Sequence, residues 1–291
     1  MKKEREFIAT SQPLSEMWSK IESFRSPYRC ECFLKERIKN NFSGLDYKRL
    51  FEIKNSSGLD LDSPRIITSR DIKKKAVELS YDVKQAKEYY EAARNTTELT
   101  LPVLLYYGMI SLGKMLVDST FEFTTKKKHH GLGTESIRKV SVMHQGFFTR
   151  FHDAYNPEPA IYVHKLTFSM QELFSMIPDV RREYKIVYKE ESRINPHIDE
   201  ETQMNDPFVL KKDGLNLVFP ALTSHFLLMF LLSRLARYRP IEWGKMIEGE
   251  RSDEIYLIRK FLKVSARRFP NLVINELFGK TFIYHPGARL G

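Results

Sequence analysis

Residues Lys126–His144 read KKKHHGLGTESIRKVSVMH and bring four lysines, three histidines and an arginine into nineteen positions. Arg138 and His144 stand six apart in RKVSVMH. A guanidinium that steadies a phosphate beside an imidazole that moves a proton suffices for metal-free RNA cleavage. The 2′-hydroxyl attacks, histidine acts as general acid/base, and arginine offsets the charge of the transition state. His129 and His130 are candidates for the same proton transfer, and Lys126, Lys127 and Lys128 for phosphate contact. The spacing itself is a weak pattern. On a helix six residues cover about 1.7 turns, so Arg138 and His144 would face opposite sides and converge only through a distortion or a dimer mate. The competing reading is a loop histidine and a surface arginine.

A second basic set lies toward the C-terminus. Arg234, Arg237 and Arg239 close the stretch SRLARYRPIEW with a tyrosine, Tyr238, between them. Cations at a helix C-terminus complement its dipole, and three in six residues with an interleaved aromatic also suit a polyanion. Arg259, Lys263 and Arg267 recur at i, i+4 and i+8, giving one cationic helix face. Such a face either serves solubility or tracks phosphates, releasing counterions as it does so. These six cationic side chains, with Lys126, Lys127 and Lys128, are the candidate nucleic-acid contacts.

Other chemistries are excluded by what is missing. There is no P-loop, GxSxG or HExxH motif, and the pair Gly131/Gly133 lacks the third glycine of a dinucleotide fingerprint. The histidines do not pair with carboxylates at metal-ligand spacing, and the two cysteines, Cys30 and Cys32, are too few for a zinc site. No metal, no cofactor and no disulfide are expected. The net charge is +10, and residues 221–291 hold 12 Lys and Arg against 6 acids, so a polyanionic partner, RNA or DNA, is favoured. The stretch Glu190–Asp206 goes the other way, with six acids against Arg193. The most apolar window, HFLLMFLL at His225–Leu232, is far shorter than the ~20 residues of a membrane span. No signal peptide is legible at the start, and a cytoplasmic protein without membrane contact is expected.

The elements that must hold these residues are mostly helical. Three-to-four spacing predicts helices over 14–24, 28–39 and 70–94, with Ser69 as N-cap of the third. Leu101–Asp118, LPVLLYYGMISLGKMLVD, is apolar nearly all round and should be central, with Thr100 as its N-cap. HKLTF, REYKIVYKEE and PFVLKKDGLNLVFP read as strands, the last as a hairpin turning at Lys212-Asp213-Gly214, with a short helix stopped by Pro178 between the first two. Helices follow over about 223–238 and 253–268, the latter ending at Phe269-Pro270. The expected fold class is mainly α. It comprises an N-terminal helical segment (1–69), a core bundle with the basic His-rich loop (70–159), a small antiparallel β insertion (160–220) and C-terminal basic helices (221–291), within one compact unit.

YYEAARNTTELTLPVLLYYGMISLGKMLV followed by KKKHHGLG resembles the YaaC-like family of bacterial proteins. MWSKIESFRSP, QGFFTRF, LTFSMQELFSMIPDV and SHFLLMFLLSRLARYRPIEW extend the resemblance from about residue 17 to the C-terminus. More distantly, the alanine- and tyrosine-bearing helices and the His-Gly loop are similar to the HEPN superfamily. That similarity implies a helical bundle, commonly dimeric, and in many members a metal-independent ribonuclease of bacterial toxin or antiviral defence systems with an Arg-x(4–6)-His motif. Arg138 and His144 match that spacing, although the family's motif opens the last helix of its bundle and this one follows the second long helix. Two functions are therefore expected to compete: nucleic-acid binding with ribonuclease activity, and a non-catalytic bundle that forms a homodimer or docks on a partner protein.

Overall fold

The computed structural model describes residues 4–42, 69–120, 130–143, 145–155, 166–191, 208–212, 215–250 and 253–285. The elements run β1 (Glu4–Ala9), α1 (Pro13–Glu22), α2 (Pro27–Phe42), α3 (Ser69–Arg94), α4 (Leu101–Ser119), β2 (Leu132–Ser136), β3 (Lys139–Val142), α5 (Phe147–Asp153), β4 (Leu166–Ser169), α6 (Met170–Ser175), α7 (Arg181–Tyr188), β5 (Phe208–Lys212), β6 (Leu215–Phe219), α8 (Ala221–Tyr238), α9 (Pro240–Ile247), α10 (Glu254–Phe278) and β7 (Lys280–His285). The protein is mainly α, with three small sheets among the described residues.

α3 and α4 form the antiparallel pair at its centre. Lys75 reaches Asp118, Lys114 reaches Asp82, Ser111 donates to Gln85, and Gly108 lies against Tyr90, so the contacts descend one helix as they climb the other. Gly108 sets how closely they approach, since a Cβ there would sit 2.7 Å from the Tyr90 ring. α4 is long and apolar enough to cross a membrane, but it is the core helix of the bundle, with 67% of that window buried. α8 crosses it, and Tyr106 packs on Phe226 and Phe230. Phe226 also meets Phe147, Phe151 and Phe269, joining α4, α5, α8 and α10 in one aromatic centre.

Several elements depart from expectation for identifiable reasons. REYKIVY is helix α7 rather than a strand. Helical spacing brings Tyr184 and Tyr188 together, their tilted rings 4.9 Å apart between centroids, and Tyr188 then reaches α10. α10 does not stop at Pro270. A proline inside a helix costs roughly 3 kcal/mol, yet buried Phe269, Leu272, Val273, Ile274 and Leu277 carry the helix through to Phe278. Ser69 is the first helical residue of α3 rather than a cap before it. Thr100 does precede α4, but its hydroxyl lies 2.6 Å from that of Thr96 and caps nothing.

The antiparallel sheet begins well before residue 160. The basic stretch itself supplies β2 and β3; β3 pairs with β2 on one side and β4 on the other, aligning Leu132, Val142 and Leu166 on a buried face. β5 and β6 pair as the expected hairpin, Lys212 opposite Leu215, and the Asp213-Gly214 corner lies outside the described residues. β1 and β7 form a parallel pair that joins the two ends of the described chain.

Candidate nucleic-acid interface

The last turn of α8 is where the cations of the second basic set meet aromatic rings. Buried Ser233 gives Arg237 two acceptors, its carbonyl at 3.2 Å and its hydroxyl at 3.4 Å, and the guanidinium also donates to the Tyr107 hydroxyl at 3.0 Å. So fixed, Arg237 lies 5.6 Å from the Tyr106 ring centre, 5.5 Å from Tyr107 and 5.1 Å from Tyr238. Arg234 approaches the same Tyr238 ring at 5.0 Å. Tyr238 is 61% exposed, so a ring held beside two guanidinium groups faces water. Arg239 follows at the helix end, and the α8 carbonyl dipole partly offsets the positive charge gathered there.

His130 belongs to this cluster. Its Nδ1 is 3.3 Å from the Tyr106 hydroxyl, and its backbone carbonyl accepts from the Phe148 amide, fixing the residue at the start of β2. Burial pushes the Tyr106 phenol well above its ordinary pKa, against the opposing pull of Arg237, so it remains a hydrogen-bond donor.

Arg138, by contrast, is committed elsewhere. It occupies the β2–β3 turn and forms a two-pronged ion pair with Glu254, at 3.0 and 2.6 Å. Glu254 is buried in the first turn of α10 and also accepts from the Tyr188 hydroxyl at 2.5 Å. The charge-assisted fork clasps the hairpin turn to α10 and α7. The segment following Arg138 is a strand, not a helix, so the opposite-sides geometry considered for RKVSVMH does not arise. His144, His129, Lys126, Lys127 and Lys128 lie outside the described residues.

The cationic face of α10 is partly spent on structure. Arg259 holds Glu98 at 2.8 and 3.0 Å and donates to the Ile247 carbonyl, locking the α3–α4 connection to α9 and α10. Lys263 and Arg267 are exposed on the same helix. Neighbouring Arg268 is half-buried beside Asp179 and His225. Of the acidic stretch, Glu190 accepts from Gln171 and Glu191 pairs with Lys185; residues 192–206 lie outside the description.

The clasped hairpin and the arginine end of α8 face each other across a groove of about 310 Å³. Thr134, Glu135 and Ser136 line one wall, and Arg234, Tyr238 and Arg239 the other. Sequence reasoning found the arginines and Tyr238 but missed Glu254, Tyr188 and the hairpin wall, because partners more than sixty residues apart leave no periodic trace. Among the described residues, no group of three or more His, Cys, Asp or Glu is placed to hold a metal ion. Cys30 donates to the Phe24 carbonyl, and burial pushes its thiol up to about 12, while Cys32 is exposed.

The sequence model described as YaaC-like protein matches residues 32–216 and 198–277. No curated protein and no solved structure matches the chain.

Proposed function

The chain belongs to the YaaC-like family, and from the surface its fold presents we propose that it binds single-stranded nucleic acid, RNA foremost, along the arginine end of α8. The observation that carries this reading is the exposed Tyr238 ring with Arg234 and Arg237 both within about 5 Å of it. Proteins that hold single strands combine cations that track the backbone with aromatic faces on which bases stack, worth roughly 1–3 kcal/mol per base. Arg239 and His130 extend the same surface, and the +10 net charge favours encounter with a polyanion.

The proposal stops at binding. Arg138, the arginine of the expected catalytic pair, spends its guanidinium on a buried carboxylate, which suits a positioning role better than phosphate chemistry. A second reading is favoured by the exposed side chains of Leu99, Ile241 and Tyr256, on the elements that Glu98, Trp243 and Arg259 tie together. They suit a partner protein.

Fluorescence anisotropy of a labelled single-stranded RNA 12-mer at low salt separates the two. Binding by the wild type and its loss in a folded Arg234→Ala/Tyr238→Ala variant supports the strand-binding reading. No binding by the wild type removes it and leaves the docking reading.

A further inference from the structure

The groove between the clasped hairpin and the end of α8 holds two cations without a carboxylate. Arg138, Arg259 and Arg268 each stand against an acid. Among the described residues Arg234 and Arg239 do not. Arg234 meets the Phe230 ring at 6.0 Å and the Tyr238 ring at 5.0 Å, and Arg239 is exposed at the helix end. Glu135 lines the hairpin wall, but it already has a partner, and no ion pair joins it to either arginine. A ring contact uses up no oxygen acceptor, so the N–H donors of both guanidinium groups remain available to an oxyanion.

The opposite wall adds hydroxyl groups. Thr134 and Ser136 line it, and the Ser136 oxygen accepts from the Arg138 amide at 3.4 Å, which leaves its O–H able to donate. The Arg138 fork on buried Glu254 holds this wall in place. Ile137, Leu231 and Leu235 give the groove an apolar lining, and its volume is about 310 Å³.

Charge decides which phosphate suits this space. An internal phosphodiester carries a single negative charge, which one guanidinium answers. A terminal phosphomonoester carries about −1.5 to −2 near pH 7 and offers three acceptor oxygens. Two arginines gathered on one small groove, rather than spaced along a track, match the second, and arginine–phosphate pairs are strong and two-pronged.

We propose that this groove seats the phosphorylated end of a bound strand, with Arg234 and Arg239 on the terminal phosphomonoester, Thr134 and Ser136 donating to its remaining oxygen, and the terminal base against Tyr238. The inference rests on the strand-binding reading above.

The test uses the full chain and unlabelled oligo-U RNA 10-mers that displace an internally labelled strand. One 10-mer carries a 5′-phosphate, one a 3′-phosphate, one hydroxyls at both ends, and one the methyl ester of the 5′-phosphate; a methyl ester of the 3′-phosphate completes the set. A strand phosphorylated at the preferred end is expected to bind about tenfold more tightly than the hydroxyl strand, as befits charge-assisted hydrogen bonds at a partly solvated site. Its methyl ester, which keeps only one charge, should fall between, and the end that wins identifies which terminus is seated. Arg239→Ala should bring the ratio close to one; Arg239 is exposed, so the fold is not at stake. Lys263→Ala/Arg267→Ala should leave the ratio intact. Equal displacement by all strands, a methyl ester as good as its phosphate, or a preference undiminished in Arg239→Ala overturns the subsite while strand binding stands. Failure of every strand to bind overturns both.

Discussion

At the scale of single residues, the most informative contact is the one that takes Arg138 out of the expected chemistry. Glu254 is buried, and a buried carboxylate stripped of its cation is costly. Arg138→Ala should therefore destabilise the fold by about 2 kcal/mol, read as a lower urea midpoint at unchanged slope. A purely catalytic arginine would leave that midpoint where it is. Buried histidines make a second case. Burial lowers the His152 pKa to about 3 and that of His225 to about 4, Asp179 pulling the latter the other way. Between those values and the ordinary 6.5 the unfolded chain holds more protons than the folded one, so both residues cost stability as pH falls from about 6.5 toward 4. NMR should find both imidazoles neutral at pH 5. Asp82 has the opposite sign: burial raises it to about 7, reinforced by Asp118 and Glu78 and opposed by Lys114. The folded state then holds the extra proton between about 4 and 7, and stability falls as pH rises through that window. Asp82→Asn should raise the Tm at pH 8, with the gain shrinking toward pH 4.

At the scale of elements, helical period revealed what burial enforces and failed where distant partners decide. α3, α4 and α8 were legible because their apolar positions repeat at helical spacing and each is buried along that stripe. α7 was not: its β-branched and aromatic residues imitate a strand, and only Tyr184 and Tyr188, four apart and in contact, with Tyr188 bonded to Glu254 of α10, reveal the helix. The strands β2 and β3 hid in a glycine-rich basic stretch whose burial depends on β4, some twenty-five residues on. Pro270 looked like a stop signal, but the apolar residues beyond it outweigh the lost hydrogen bond. Of the candidate site, composition alone exposed the arginines of α8. The opposing hairpin wall could not be read, because it depends on a bulge at Glu135 and a clasp to Glu254. The α3–α4 contact also sets a tolerance: Gly108→Ala would drive a methyl group into the Tyr90 ring and should cost about 1–3 kcal/mol in chemical denaturation.

At the scale of the whole molecule, charge placement matters more than its sum. Arg138, Arg259 and Arg268 stand against carboxylates within the structure. Arg234 and Arg239 line a groove, and Lys263 and Arg267 lie on an open helix face. Two surfaces could therefore carry a polyanion, and the central claim is that the α8 end does. The direct measurement is the salt dependence of single-stranded RNA affinity for the wild type, Arg234→Ala/Arg239→Ala and Lys263→Ala/Arg267→Ala. Each phosphate contact contributes about 0.7 to the slope of log K against log salt for a single strand. If α8 is the interface, the first variant should flatten the slope by about 1.4 and the second should leave it nearly unchanged. Equal slopes for the wild type and the α8 variant, or flattening only when the α10 residues are removed, would contradict the claim.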